Sequence, residues 1–338
     1  MKTAVVLLSS VLAACSSIGV TAPSGVEIKH SGVLAPGGPT VETVYWTDDA
    51  HVLFIGAKPG VFESLPDGRK PLKRFLMLWD TASGEVKKFA DLGEYAGLCY
   101  DRGYVFYGYR KPSPKKGQPG ESVIKAGLLG SEAEIHRRGS INPFSCREYD
   151  ETWLKTNIGK GFWPLREEHG YWGAYQGRGR TETVLIKNEG GRRIEIPLKI
   201  LYEPPPHWSE YARAYVFGRA QHVFSRSKTA GRMWLLQPNG ETKEFDIPAG
   251  PWFGGSTGYD ITKRGVFIFS HALANNGIGD AGGYVMEKGK KPQRFIEGYI
   301  HAFGISANGC NIAMSIRLKD GPRDSAEMVM ANICSTSN

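Results

Sequence analysis

The side chains whose spacing could support chemistry fall in a few short stretches. Gly254-Gly255-Ser256-Thr257-Gly258 has the Gly-x-Ser-x-Gly outline that presents a serine nucleophile on a strained turn between a strand and a helix. The residues after it, Tyr259-Asp260-Ile261, read as a strand leading to a turn, so the stretch is better explained as a linker between sheets. His271 to Asp280 places Asn275 and Asn276 among glycines, but without the regular ligand spacing of a calcium loop, and reads as a surface turn. The 8 histidines include no pair at i and i+4, and no Cys-x-x-Cys occurs, so no metal centre is expected. No phosphate-binding glycine loop or hydride-cofactor fingerprint is present either, and no cofactor is expected. What remains is the set of 5 cysteines, Cys15, Cys99, Cys146, Cys310 and Cys334.

Cys15 ends Leu12-Ala13-Ala14-Cys15, after the single cation Lys2 and an apolar run too short to span a bilayer. This anatomy is that of a secretory signal, and Leu-Ala-Ala-Cys resembles the lipobox of bacterial lipoproteins. The resemblance implies removal of residues 1–14, diacylglycerol on the Cys15 thiol and acylation of the new amino terminus. Three acyl chains make a durable anchor where one gives marginal binding. Ser16 after the cysteine implies, by the same resemblance, the periplasmic side of the outer membrane, with display on the outer surface as the alternative. Residues 15–25 then form a tether and residues 26–338 a single domain.

The other four cysteines would lie in an oxidising compartment, where two disulfides are expected and three connectivities are open. The composition, with 43 Gly, 20 Pro, 15 Tyr, 15 Phe and 8 Trp, favours short strands and tight turns over long helices, so an all-β chain is expected. No second apolar stretch reaches the length of a membrane span. The net charge of +8 suits anionic lipid headgroups or acidic polymers, or simply a solvated surface. Nucleic acid is a poor partner for an exported chain without a binding motif for it.

Strand patterns recur as one unit. Tyr299 to Ile305, a turn at Ser306-Ala307-Asn308-Gly309, Cys310 to Arg317 and Glu327 to Cys334 make the clearest copy. The copy before it has Tyr259-Asp260-Ile261, Val266 to Ser270, Tyr284-Val285-Met286 and Gln293 to Ile296. Another starts at Arg213 and continues through His222 to Ser225, Met233 to Leu236 and Thr242 to Ile247. One more opens near Val41, with His51 to Ile55, Phe75 to Trp79, a hairpin over Asp80 to Glu85, and Val86 to Phe89. Further openings fall near Ala96 and Asn142. Repetition of four-stranded meanders predicts a β-propeller, most simply of six blades with five or seven as neighbouring alternatives, because radial repetition protects sheet edges. The last unit lacks its outermost strand, and Val26 to Val33 can supply it, closing the ring.

Ile305 to Met314 resembles the strand-turn-strand signature of WD-like repeats in the propeller of the periplasmic Tol-Pal system, with Ala307-Asn308 where Pro-Asp is usual. Leu78-Trp79-Asp80 with Ser83-Gly84-Glu85 resembles the related Trp-Asp hairpin. Ser227 to Trp234 has the outline of the aspartate box of sialidase-like propellers, with Thr229 in place of the aspartate. Sialidase-type chemistry would need a carboxylate-binding arginine group, for which Arg147, Arg213, Arg219, Arg226 and Arg317 are available. These turns recur across unrelated activities, so they speak for fold rather than function.

Pairing Cys310 opposite Cys334 sets Met314 against Met330, Ile316 against Met328 and Ala313 against Ala331, which makes one face largely apolar and allows a Cys310–Cys334 bond. Cys99 and Cys146 occupy similar places in successive first strands, so an inter-blade bond is the second expectation.

The elaborated connections Ala57 to Arg74, Lys111 to Ser122, His271 to Gly283 and Leu318 to Ser325 all join second to third strands, and the linker Tyr202 to Tyr211 reaches the same end. That looped end is the expected binding face, with Lys115 and Lys116 in one of its loops. First strands start there, so Glu42, Tyr95, Asn142, Arg213, Tyr259 and His301 are expected to ring the mouth of a central channel. The leading function is a non-enzymatic, lipid-anchored propeller that binds a partner protein or envelope polymer. The alternatives are a hydrolase or lyase acting on a glycan through His301, Arg213 and Tyr95, and a structural envelope component.

Overall fold

In the computed structural model, the described residues are 25–35, 44–62, 72–92, 96–101, 103–110, 122–131, 134–139, 162–163, 171–176, 183–189, 192–198, 207–218, 231–237, 241–248, 250, 257–270, 281–317 and 326–335. Every regular element among them is a strand, so the chain is all-β as the turn-rich composition predicts. After β1 (Glu27–Leu34), the strands follow one another in antiparallel meanders. The first meander is β2 (Val44–Trp46), β3 (His51–Phe62), β4 (Leu72–Asp80) and β5 (Val86–Leu92). The second is β6 (Ala96–Asp101), β7 (Tyr104–Arg110), β8 (Ser122–Leu128) and β9 (Glu134–Gly139). Then come β10 (Phe162–Trp163), β11 (Tyr171–Gln176), β12 (Thr183–Glu189) and β13 (Arg192–Leu198). The fourth meander is β14 (His207–Ser209), β15 (Ala214–Gly218), β16 (Gly231–Leu236) and β17 (Thr242–Ile247). The fifth is β18 (Thr257–Thr262), β19 (Gly265–Ser270), β20 (Gly282–Met286) and β21 (Gln293–Glu297). Last are β22 (Tyr299–Ile305), β23 (Asn311–Arg317) and β24 (Glu327–Asn332), with β1 hydrogen-bonded beside β24.

Among the described residues, the fourth, fifth, last, first and second meanders stack face to face in turn, which explains why their strands read as apolar runs rather than alternations. Ala214, Val216, Met233 and Leu235 of the fourth pack on Tyr259, Ile261, Val266 and Ile268 of the fifth. Phe267, Phe295 and Ile296 of the fifth pack on Ile300, Phe303, Ile312 and Met314 of the last. The last meander's opposite face, with Ala302, Ala313, Met328 and Met330, packs on Val52, Phe54 and Trp79 of the first. Leu53, Ile55 and Leu76 then meet Leu98, Val105 and Tyr107 of the second. The fifth, last and first meanders are thus covered on both faces, the stacking of propeller blades. At the centre of one interface, Phe267 is fully buried, with its ring 5.1 Å from Phe303 at an edge-on 70°.

Two connections of the fourth meander correct the sequence reading. Its first strand is His207–Ser209, inside the stretch expected to be linker, and its second is Ala214–Gly218. Arg213 therefore sits in the turn after the first strand instead of opening it. The expected strand His222 to Ser225 lies outside the described residues, between the second and third strands. Similarly, the third meander's first strand is Phe162–Trp163, well beyond Asn142. Apolar aromatic residues are compatible with a turn as readily as with a strand, and Tyr211 and Ala212 are both partly buried in such a turn.

β1 lies beside the last meander, where Val26 to Val33 was expected, and one register differs from the expected one. β1 pairs antiparallel with β24, Glu27 opposite Asn332 and His30 opposite Val329, and a single bridge from Leu34 to Ala57 links it to β3. A disulfide joins Cys310 and Cys334, whose α-carbons are 5.2 Å apart. The strands beside it, however, pair one residue away from the expected register. Met314 is opposite Val329, Ala313 opposite Met330 and Asn311 opposite Asn332. β24 ends at Asn332, the Ile333 amide donates to the Cys310 carbonyl at 2.9 Å, and Cys334 reaches the bond from the turn beyond. Cys99 lies in β6, while Cys146 and any bond between the two fall outside the described residues.

Candidate functional site

A meander of four strands puts its first-to-second and third-to-fourth turns at one end. Its second-to-third connection and the linker to the next meander lie at the other. The second-to-third connections 63–71, 111–121, 219–230, 271–281 and 318–326 are the long ones, so they share an end. The connection at 219–230 joins those expected from sequence.

At this looped end the linker into the last meander is a single residue, Gly298. Its φ of +146° and the closeness of the Arg317 carbonyl oxygen, 2.6 Å from where a Cβ would stand, leave room only for glycine. The sharp reversal sets Tyr299 directly opposite Arg317. The Arg317 guanidinium lies over the Tyr299 ring, 5.4 Å from its centre. The register then shifts between Ile300 and Ala302, so His301 is the extra residue of a bulge, and its ring stands 4.9 Å from that of Tyr299. Bulges of this kind re-aim a side chain. Tyr299, His301 and Arg317 are all partly exposed, and together they offer a cation, an imidazole and an aromatic face. Such a group suits recognition of a polar or anionic ligand by stacking and charge. Arg294 and Glu297 pair at 3.5 Å just before the reversal.

The expected ring of channel residues is only partly brought together. His301 does lie near the start of an inner strand. Tyr259 does not serve as a ring residue: it is 3% exposed, packed between the fourth and fifth meanders, and its hydroxyl's pKa is raised by burial. Arg213 is at the opposite end, exposed in the first-to-second turn with φ +49°, paired with Glu210 at 3.4 Å and 5.7 Å from the Trp208 ring centre. The glycan-cleaving trio of His301, Arg213 and Tyr95 is thus split between two ends. Cys15, Glu42, Tyr95, Asn142, Lys115 and Lys116 lie outside the described residues, as does Ser256. β18 begins at Thr257, so a strand, not a helix, follows the serine. Tyr299 is the member that sequence reasoning assigned only to a strand; its signal was its place directly across a hairpin from an arginine. Among the described residues, no group of three or more His, Cys, Asp or Glu could hold a metal ion.

At the turn end, the first-to-second turns of four meanders gather. The Tyr211 ring of the fourth meander lies against Gly309 of the last, where a Cβ would come within 2.4 Å of it. The Lys263 amide of the fifth donates to the Gly309 carbonyl at 2.9 Å. Asp49 of the first accepts from the Asn308 amide at 3.1 Å. Just inside these turns, Trp46 Nε1 donates to the Gly304 carbonyl at 2.8 Å, joining the inner strands β2 and β22.

No protein-family model matches the chain, and no curated protein matches it. Among solved structures it is similar to TolB from Acinetobacter baumannii, with 11% identity and a TM-score of 0.40, over 86% of this chain and 65% of that one. The chain therefore spans just under two thirds of the length of that TolB. It is also similar to the β-propeller domain of the Trilobed protease from Pyrococcus furiosus, with 8% identity and a TM-score of 0.30, over 82% of this chain and 80% of that one.

Proposed function

We propose that this chain is a six-bladed β-propeller lipoprotein, anchored through acylated Cys15 at the periplasmic side of the outer membrane, that binds a partner protein or envelope polymer on its looped end. In this reading β1 is the fourth strand of the last blade and closes the ring. The observation that carries the proposal is the division of labour between the two ends. Five long connections and the Tyr299–His301–Arg317 group belong to one end. The chain enters β1 at the other, where Gly25 lies beside Ser335. An anchor attached there leaves the looped end facing away from the membrane. Arg317 and the lysines Lys115 and Lys116 give that end a cationic character suited to an acidic partner.

The test is photo-cross-linking in intact cells from single positions in loop 111–121, and from Ser83 and Ala307 in the turns of the other end. Adducts of defined mass are expected from the loop positions and not from the turns. Substituting Lys115 and Lys116 with Glu should diminish them. Equal adducts from both ends, or loop adducts indifferent to the lysines and to loop deletion, would show the face to be misassigned.

A further inference from the structure

We infer that the turn end of the fifth meander is a membrane-facing cationic surface that takes anionic phospholipid headgroups. The inference rests on the anchored reading above and adds a second, electrostatic contact to it. Two turns of that meander lie side by side, the turn between β18 and β19 and the turn between β20 and β21. They present Lys263, Lys288, Lys290 and Lys291, all exposed, together with the partly exposed Arg264. Glu287 is the one carboxylate within these turns. It pairs with Arg264 Nε at 2.7 Å and with Lys290. Among the described residues, no ion pair or side-chain hydrogen bond engages Lys263, Lys288 or Lys291, so three ammonium groups face solvent uncompensated.

What selects lipid over any other anion is the place where the chain arrives. A Cβ built on Gly25 would stand 2.5 Å from the Ser335 carbonyl oxygen and 3.9 Å from Arg264 Nη1, so the tether enters the fold against this patch. Arg264 also donates to the Ile333 carbonyl at 3.2 Å, fixing the patch to the strand end that receives the tether. The nearest other carboxylate on the entering strand, Glu27, is paired with Lys29 at 3.8 Å. Between Cys15 and Gly25 the chain can extend at most about 35 Å. The patch is therefore confined close to the headgroups, where each lysine gains roughly fivefold in partitioning to an anionic surface. Confinement by the anchor turns that gain into an orientation of the whole domain rather than into recruitment. Lysine suits this work because its compact ammonium recognises charge without demanding a fixed geometry.

The experiment uses the acylated protein on vesicles of phosphatidylcholine, with and without phosphatidylglycerol. Amine-reactive labelling is read at each lysine by peptide mass. On vesicles containing phosphatidylglycerol at low salt, labelling of Lys263, Lys288, Lys290 and Lys291 should slow about fivefold or more, with Lys115 in the looped-end connection 111–121 unaffected. High salt should abolish the difference. A triple variant, Lys288→Gln with Lys290→Gln and Lys291→Gln, should stay on the vesicles, melt as before and lose the protection of Lys263. Equal labelling on the two vesicle types, or slowing that survives high salt, overturns the proposal. If the amino-terminal peptide carries no acyl chains, the anchored reading fails by that mass. The patch is then judged by sedimentation of the same protein with the two vesicle types. Co-sedimentation only with phosphatidylglycerol, lost in the triple variant, supports the patch, and no co-sedimentation overturns it.

Discussion

Removing the Cys310–Cys334 bond alone tests the way the two chain ends are held together. The double variant C310A/C334A is the right perturbation, because a reductant would also cut any bond made by Cys99 and Cys146. The bond closes a sequence separation of 24 residues. Loop-closure entropy for such a segment is about 12 cal/mol/K, or about 3.5 kcal/mol at 25 °C. Both cysteines are only partly buried, so truncation to alanine adds little cavity cost to that figure. For a cooperative unit of roughly 300 residues, the unfolding entropy is about 0.6 kcal/mol/K, and the melting temperature should fall by about 6 °C.

The effect should also be local. β24 is hydrogen-bonded to β23 on one side and to β1 on the other, and Cys334 holds its last turn. Hydrogen exchange should therefore quicken in Glu327–Asn332 and Glu27–His30 before it quickens in the fully buried strand around Phe267. Thermal unfolding followed by circular dichroism, with exchange read by mass, gives both quantities. A melting temperature and exchange pattern equal to those of the parent would mean that the bond constrains neither the unfolded chain nor the pairing of β24 with its neighbours.

Three further outcomes are expected. Gly309→Ala forces a side chain onto a φ of +73° and into the Tyr211 ring, and should cost about 1–3 kcal/mol in a denaturant melt. Adding Tyr211→Ala to it should recover the steric part only. Phe267→Ala empties the fully buried centre of the interface between the fifth and last meanders, and should cost about 3–5 kcal/mol by the same measurement. The third concerns His30, whose pKa is raised first by the hydrogen bond its ring donates to Glu327, and Glu327, whose burial would raise its pKa but whose bond with His30 lowers it on balance. The histidine's contribution is complete below its unfolded value of 6.5 and fades as pH rises through the higher folded value. The glutamate's is complete above 4.5 and fades as pH falls through the lower folded value. The half-exposed pair should therefore hold β1 to β24 best between those values, by about 0.5 kcal/mol. Exchange in β1, corrected for intrinsic rates, should be slower at mildly acidic than at alkaline pH, and His30→Gln should flatten the profile.

Turns were the most legible part of the fold, because their chemistry is local. Asp80 accepts from the Ala82 and Ser83 amides and the Ser83 hydroxyl, which is what an aspartate opening a hairpin is expected to do. In the same way, Ser306 donates its hydroxyl to Asn308, whose side chain then receives the Cys310 amide. Register was less legible. Residues 312–316 and 328–331 are buried on both faces, so the apolar pattern survives a shift of one residue and cannot choose between registers. The cysteines were then the only pin, and a bond made from a turn beyond the strand does not require its cysteines to be opposed. Arg213 was misplaced for a related reason. Tyr211 and Ala212 are partly buried because their turn meets the turns of other meanders, and that long-range contact gives a turn the apolar look of a strand.

The same convergence of turns bears on where a ligand can arrive. Tyr211 belongs to the fourth meander and Gly309 to the last, with the whole fifth meander stacked between them. A side chain can bridge that separation only where the first strands draw together, near the axis about which the sheets are arrayed. Lys263 and Asp49 reach the same turn from the fifth and first meanders. The turn end is thus closed around Gly309 over four of the meanders. His301 and Tyr299 stand at the other end of the same inner strand, beside the single-residue linker at Gly298. A ligand approaching these inner strands therefore meets the joined turns of four meanders on the side where the chain enters β1, and on the looped side a stacked arginine, tyrosine and histidine. This asymmetry was invisible in the channel-ring expectation, which assigned Arg213 and His301 to one mouth. It follows from which end of a first strand each residue occupies.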